Sequence, residues 1–263
     1  MVTGHIRYME RIDDLEIKGY KIYQDSDSFC FGVDAVLLAN FALRNIRNKT
    51  NQNLRMADLC TGNMAVALIF YAKKDFDVHI DCIDIDEYQL SLAKKSIELN
   101  KELDPNIIND INIINDDINN ILIDKERYKG FLSSFELITI NPPYIKEGNG
   151  LQSESEKKLY ARHEIKITFD SICKISYNML KSNKSIYLVH RTNRFAEIIN
   201  TLKLNHLEPK TIQFIHAYKD KPSNLFLLEA VKDAGEETRV LEPIIIYEKE
   251  NVYTKEVLEI YGK

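Results

Sequence analysis

"LRMADLCTGNMAVALIFYAKKDFDVHIDCIDID", residues 54–86, decides how the chain folds. Residues 54–60 are a short apolar run that ends in polar residues, Thr61-Gly62-Asn63 is a turn, and "AVALIFYAKK" reads as a helix. Residues 78–86 are a second apolar run, closing on Asp84 and Asp86. Strand, helix and strand in that order make a parallel β-α-β unit covered on both faces. The pattern repeats outward. "INIINDD" (111–117), "FELITI" (135–140) and "SIYLVH" (185–190) are further strands. Before the third, "EYQLSLAKKSIELNKEL" carries Leu90, Ala93 and Ile97 at helical spacing. Helices are expected over 168–181 and 194–205, and an amphipathic one over 31–45. Residues 209–218 and 224–232 read as a closing strand pair. The expected fold is α/β: a doubly wound, mainly parallel seven-stranded sheet with helices on both faces. Residues 1–50 are expected to pack on the core as strands and a helix, 51–235 to form the core, and 236–263 to follow as an extended tail, all in one structural domain.

A chain of 263 residues suits one large α/β domain. No run of roughly 18 apolar residues occurs, so no membrane span is expected. The first residues are polar and charged, without the apolar centre of a signal peptide. Cys30, Cys60, Cys82 and Cys173 are not in C-x-x-C spacing. That pattern indicates neither a zinc site nor a disulfide scaffold, so no metal and a cytoplasmic location are expected. A net charge of −5 argues against a generally basic nucleic-acid coat but leaves room for a local basic face.

Ligands of doubly wound sheets bind at the carboxyl ends of the strands. At the first end stand Asp58, Thr61, Gly62 and Asn63, where Gly62 permits a tight turn and close backbone approach. An ordinary βα turn with one glycine reads the same way. At the second end, Asp84 suits hydrogen bonding to both ribose hydroxyls, and Asp86 suits capping of the next helix. At the third, Asp116 or Asp117 is placed to accept from an adenine amino group. Neither a G-x-G-x-x-G nor a G-x-x-x-x-G-K-[ST] phosphate cradle is present. Carboxylates without a phosphate cradle suit a nucleoside that bears an ammonium and a sulfonium. S-adenosyl-L-methionine is that cofactor.

The fourth strand ends in Asn141-Pro142-Pro143-Tyr144. Two prolines cannot continue a ladder, because they lack N–H groups and fix φ. The lone pair of an exocyclic adenine amine is delocalised into the ring, so methylating it requires rehybridisation. Acceptors on its hydrogens, the Asn141 side-chain carbonyl and the Pro142 backbone carbonyl, would assist. Pro142 and Pro143 would fix them in place. Tyr144 offers a face for stacking the base, worth about 1–3 kcal/mol.

With these residues in hand, the chain resembles the class I S-adenosylmethionine-dependent methyltransferases, in the N-P-P-Y branch that methylates amino groups. Within it, the chain is similar to the bacterial tRNA1(Val) adenosine-37 N6-methyltransferase family. The resemblance runs nearly end to end, through "ERIDDLEIKGYKIYQDSDSFCFGVDAVLLANFA" (10–42), "INPPYIKEG" (140–148), "ARHE" (161–164), "VHRTNRFAEII" (189–199) and "LEPKTIQFIHAYKDKPSNLFLLEAVKDA" (207–234). It implies a Rossmann-like methyltransferase fold, S-adenosylmethionine as cofactor, and a tRNA anticodon stem-loop as substrate. It places Asn141 and Tyr144 in the catalytic motif, with Asn141 also among the cofactor contacts, Asp84 on the ribose and Asp117 near the cofactor's adenine. Gly32 and Asp34 fall near the cofactor's methionine end. The family's loop usually reads D-L-G-T-G-N-G. Here Cys60 and Met64 stand where it has glycines, a departure expected to weaken cofactor affinity or shift the loop, or to be harmless if those positions have φ below zero.

An acidic chain needs local positive charge to hold RNA. Candidates are Arg7, Arg11, Lys18, Lys21, Arg162 with His163, Arg191, Arg194, Lys210, Lys219 and Lys221. The competing readings are a protein-glutamine N5-methyltransferase acting on release factors and a non-catalytic RNA-binding protein that keeps the fold. The first typically carries an N-terminal helical domain of about 70 residues, where about 50 precede the first strand here. Only Cys60 and Met64 support the second. A monomer is the default expectation.

Overall fold

The computed structural model describes residues 9–26, 31–46, 54–142 and 167–263. Strands β1 (Glu10–Asp14) and β2 (Lys21–Asp25) form a hairpin, followed by helix α1 (Val33–Asn45). The core then alternates β3 (Leu54–Leu59), α2 (Ala65–Lys73), β4 (Val78–Asp84), α3 (Glu87–Asn100), α4 (Ile107–Asp110), β5 (Ile111–Asn115), α5 (Asn120–Ile123) and β6 (Phe135–Ile140). Helix α6 (Phe169–Met179), β7 (Leu180–Arg191), α7 (Phe195–Leu204), β8 (Leu207–His216) and β9 (Ser223–Lys232) complete it. The tail adds β10 (Arg239–Val240), β11 (Ile244–Ile245), β12 (Tyr247–Lys249), β13 (Val252–Tyr253) and α8 (Lys255–Tyr261).

Seven core strands lie in the order β5-β4-β3-β6-β7-β9-β8, with β9 antiparallel to both neighbours and the first five parallel. The chain leaves β3 toward β4 on one side and returns to β6 on the other. That reversal makes the crevice above β3 and β6 the topological switch point. The sheet is wider than the seven strands expected, because β10 and β11 pair in parallel with the outer edge of β8. The tail thereby covers an edge that would otherwise offer unpaired N–H and C=O groups.

Alternation along β3 shows why both faces are apolar. Met56 joins a core with α1 and α2, while Ala57 and Leu59 join a second core with α6 and α7. Helix α2 is buried from Ala65 to Ala72. Its Lys73 ammonium donates to the Ile260 carbonyl of α8, tying the tail to the core. Three tail tyrosines stack: the ring centroids of Tyr247 and Tyr253 lie 5.2 Å apart, and those of Tyr253 and Tyr261 5.6 Å.

The β1–β2 hairpin is held by polar groups on α3. Ser96 Oγ accepts from the Tyr23 N–H at 2.9 Å. The Asn100 side chain accepts from the Lys21 N–H at 2.9 Å and donates to its carbonyl at 2.7 Å. These polar residues are 0% and 2% exposed, because they satisfy the open edge of β2 as a neighbouring strand would.

Candidate active site

Register brings the candidate residues to one edge. Leu59 pairs with Ile83 of β4 and with Ile140 of β6, so Cys60 follows between Asp84 and Asn141. Asp84 pairs with Asn115, which puts Asp116 and Asp117 just beyond the same edge.

The 60–64 loop bends through three residues in the left-handed region: Cys60 at φ 57, Gly62 at φ 56 and Met64 at φ 63. Both positions that depart from the family pattern therefore keep the conformation glycine favours, and the condition for a harmless replacement is not met. Each costs roughly 1–2 kcal/mol of backbone strain. Met64 offsets this by burying its side chain completely, whereas Cys60 is partly exposed. Met64→Gly is accordingly expected to destabilise the protein by about 2–4 kcal/mol. Cys60→Gly should stay within about 1 kcal/mol of wild type, released strain offsetting the added freedom of the unfolded chain. Denaturant unfolding of the two variants checks this, and equal losses would show that strain decides neither.

Carboxylates build the loop from below. Asp58 is 1% exposed and accepts from the hydroxyls of Thr61 and Thr139, each at 2.5 Å. It therefore lies inside the loop as a strut. Burial pushes its pKa up to about 6, against the lowering effect of those two hydrogen bonds. A folded-state pKa above the unfolded one means the native state holds the extra proton. Stability from this group is full below pH 4 and is lost as pH rises through 6. The isosteric Asp58→Asn lacks that titration. Relative to the variant, wild type should lose roughly 3 kcal/mol between pH 4 and 7. A difference in unfolding free energy that stays flat with pH would contradict the assignment.

Asp84 joins the loop to its neighbours. Its Oδ2 accepts from the Gly62 N–H at 2.8 Å and its Oδ1 from the Asp86 N–H at 2.9 Å. Asp86 caps α3 as expected, accepting from the N–H groups of Tyr88 and Gln89. Among the described residues nothing lies within 4 Å of where a Cβ on Gly62 would stand, so none of them closes the loop there. Asn63 is 5% exposed and donates to the Tyr23 carbonyl at 3.2 Å, which ties the hairpin to the loop. Burial pushes the Cys60 thiol pKa up, and the negative charges of Asp84, Asp58 and Asp117 add to the rise.

Asp116 and Asp117 separate clearly. Asp116 is taken up by Tyr128, Asn120 and Arg127. Its pKa is lowered, those partners and the Asp117 N–H overcoming the largest single influence, burial, which raises it. Asp117 gives Oδ1 to Asn119, and its Oδ2 accepts no hydrogen bond from the described residues. Of the two acids, Asp117 is the less engaged by the described residues. Ile85, 41% exposed between Asp84 and Asp86, was not singled out from sequence. An apolar residue between two acids at a strand end was the available signal.

On β6, Asn141 follows Ile140, and its Nδ2 donates to Asp34 Oδ2 on α1 at 3.4 Å. Gly32 immediately precedes this helix. Pro142 follows, while Pro143, Tyr144, Arg162 and His163 lie outside the described residues.

The sheet's topology corresponds to that of proteins of known structure. The crystal structure of "a predicted O-methyltransferase" from Agrobacterium tumefaciens superposes with a TM-score of 0.67 at 19% identity, covering 87% of this chain and 95% of that one. Geranyl diphosphate C-methyltransferase from Streptomyces coelicolor A3(2) gives 0.51 at 10% identity, covering 74% and 80%. The fold is that of the class I methyltransferases. In sequence, the chain is 29% identical over 157 residues to the tRNA1(Val) (adenine(37)-N6)-methyltransferase of Histophilus somni strain 129Pt. It is 23% identical over 180 residues to the protein of that name from Bacteroides thetaiotaomicron. These matches cover 60% and 68% of this chain, and the chain spans 58% and 66% of those relatives' lengths. No protein-family model matches.

The basic residues do not share one face. Strands β3 to β8 of the core all point one way, so Arg191 at the end of β7 and the 217–222 turn with Lys219 and Lys221 rise at the edge that carries Asn141. Lys18 and Lys21 lie at the opposite edge, because α3 runs back against the strands and its last residue, Asn100, holds Lys21. Lys210 is near the start of β8 and donates to the carbonyls of Gly235 and Glu236. Arg11 is paired with Asp13, and Arg194 with Glu197. Arg7 lies outside the described residues. Among the described residues, no helix is long and apolar enough to cross a membrane, and no group of three or more His, Cys, Asp or Glu is placed to hold a metal.

Proposed function

We propose that the protein transfers a methyl group from S-adenosylmethionine to the exocyclic N6 amine of an adenosine in tRNA, position 37 of the tRNA1(Val) anticodon loop. The observation that carries this reading is Asn141-Pro142 at the switch point, one residue past the β6 register partner of Leu59 and beside the carboxylate-lined loop. The names of the relatives from Histophilus and Bacteroides support the same substrate.

The donor set fits the cofactor. In this reading the Asp84 carboxylate, which accepts the Gly62 and Asp86 N–H groups, also takes the ribose hydroxyls. Asp117 Oδ2 faces the adenine amine in this reading, and the open side of Gly62 admits the nucleoside. Ile85 gives the adenine an apolar neighbour. When bound, S-adenosylmethionine supplies a methyl group already activated by the sulfonium charge. Asn141 and the Pro142 carbonyl accept the hydrogens of the target amine and favour its pyramidal form. Because these acceptors are fixed beforehand, no reorganisation is needed as the reaction proceeds. The Tyr144 ring stacks the base, which is splayed out of the anticodon loop. Arg191, Lys219 and Lys221 take phosphates at the same edge; for Arg162 and His163, outside the described residues, the phosphate role is the one the resemblance implies. Arg194, neutralised by Glu197, contributes less. The reading implies a cytoplasmic monomer that needs no metal.

The test is where the label goes. Protein is incubated with methyl-labelled S-adenosylmethionine and, separately, unmodified tRNA, rRNA, duplex DNA and a release factor. Label is expected in tRNA. Label in the release factor instead would establish the glutamine reading.

A further inference from the structure

We infer that Asp34 is a positioning residue that sets the rotation of the Asn141 amide, so that Oδ1 rather than Nδ2 faces the target amine. The inference rests on the proposed amine chemistry, and it assigns Asp34 to Asn141 rather than to the cofactor.

The two ends of an asparagine amide have nearly the same shape and opposite function. Only the oxygen can accept the amine's hydrogens, and a flipped amide would present two hydrogens to two hydrogens. Something beside Asn141 must therefore distinguish its ends. A carboxylate does so, because it only accepts. The contact of 3.4 Å between Asn141 Nδ2 and Asp34 Oδ2 is long for an N–H donor, and such contacts commonly tighten when substrate is bound.

The carboxylate is itself fixed on three counts. Its Oδ1 accepts from the Ala35 N–H at 3.0 Å, at the positive end of α1. A Cβ on Gly32 would stand 2.9 Å from the same Oδ1, closer than real Cβ contacts permit, so only glycine leaves the carboxylate this place. The helix beneath is rigid: Ala35, Val36, Leu37, Leu38 and Ala39 are each at most 1% exposed. Asp34 and Asn141 lie 107 residues apart, on different elements that the sheet brings together. Gly32, Asp34 and Asn141 thus form one device in which a backbone gap seats an acid and the acid orients an amide.

Three variants test it: Asp34→Ala, Asp34→Asn and Gly32→Ala. The first readout needs neither substrate nor cofactor. In protein labelled with 15N-asparagine, the Asn141 side-chain NH2 signal is identified by its loss in Asn141→Ala. It should shift in Asp34→Ala and Gly32→Ala, and stay near its wild-type position in Asp34→Asn, whose own oxygen can take over as acceptor. The second readout is kinetic. Asp34→Ala should lower kcat on the order of 10²-fold, with S-adenosylmethionine affinity changed less than about threefold. Asp34→Asn should recover kcat to within about tenfold of wild type. An Asn141 signal unmoved in all three variants would overturn the inference. So would loss of S-adenosylmethionine affinity in both Asp34 variants with kcat kept at saturating cofactor, which would make Asp34 a cofactor ligand. A shifted signal in protein that methylates nothing would overturn the proposed chemistry while leaving the orientation of Asn141 by Asp34 in place.

Discussion

Asn141→Ala is expected to lower methyl transfer by roughly 10²–10³-fold and to leave S-adenosylmethionine affinity within a few-fold of wild type. The asymmetry follows from geometry. Asn141 stands at the end of β6 with its amide turned by Asp34, while the carboxylates that suit the nucleoside come from β4 and from the turn after β5. Deleting the amide removes an acceptor that matters most when the amine is becoming pyramidal. It removes nothing from the nucleoside pocket. Single-turnover methylation with calorimetric titration of the cofactor separates these effects. A large affinity loss with modest change in rate would mean that Asn141 mainly holds cofactor.

Asp84→Ala should show the reverse. Two hydrogen bonds from ribose hydroxyls to a charged group, at about 1.5–3 kcal/mol each, correspond to a loss of affinity of at least about 10²-fold. The same substitution leaves the Gly62 and Asp86 N–H groups without their acceptor, so the 60–64 loop loses its tie to β4. Stability and affinity should therefore fall together. Asp84→Asn distinguishes the two roles, since its amide oxygen can retain one loop contact but not the paired acceptance of a ribose diol. Unchanged cofactor affinity in Asp84→Ala would reduce this residue to a structural tie.

The parallel core was legible because each strand is a short apolar run and each intervening helix has its own period. Expected and observed bounds agree within a few residues for most core elements from Leu54 to Lys232, although β7 starts earlier, at Leu180, and the short helices α4 and α5 were not expected. The hairpin was not located in the sequence. Its strands are polar, and the groups that satisfy it, Ser96 and Asn100, are polar helix residues whose partner only the folded chain supplies. The tail strands β10 and β11 were missed because two residues have no periodicity. The left-handed turns at Cys60 and Met64 were hidden because glycine is what usually announces them. Asp58 was read as a ligand contact because sequence shows a carboxylate at a strand end but not which way it points. Asp34 and Asn141 could each be nominated, but not their contact, because only the assembled sheet closes that distance.

The most direct measurement is nucleoside analysis of tRNA that lacks this modification, after incubation with the protein and S-adenosylmethionine. Digestion and mass spectrometry should show N6-methyladenosine, absent when Asn141→Ala replaces wild type, with the methyl group mapping to position 37 of tRNA1(Val). Methylation at any atom other than an adenine N6, or none at all by protein that binds the cofactor, would contradict the account.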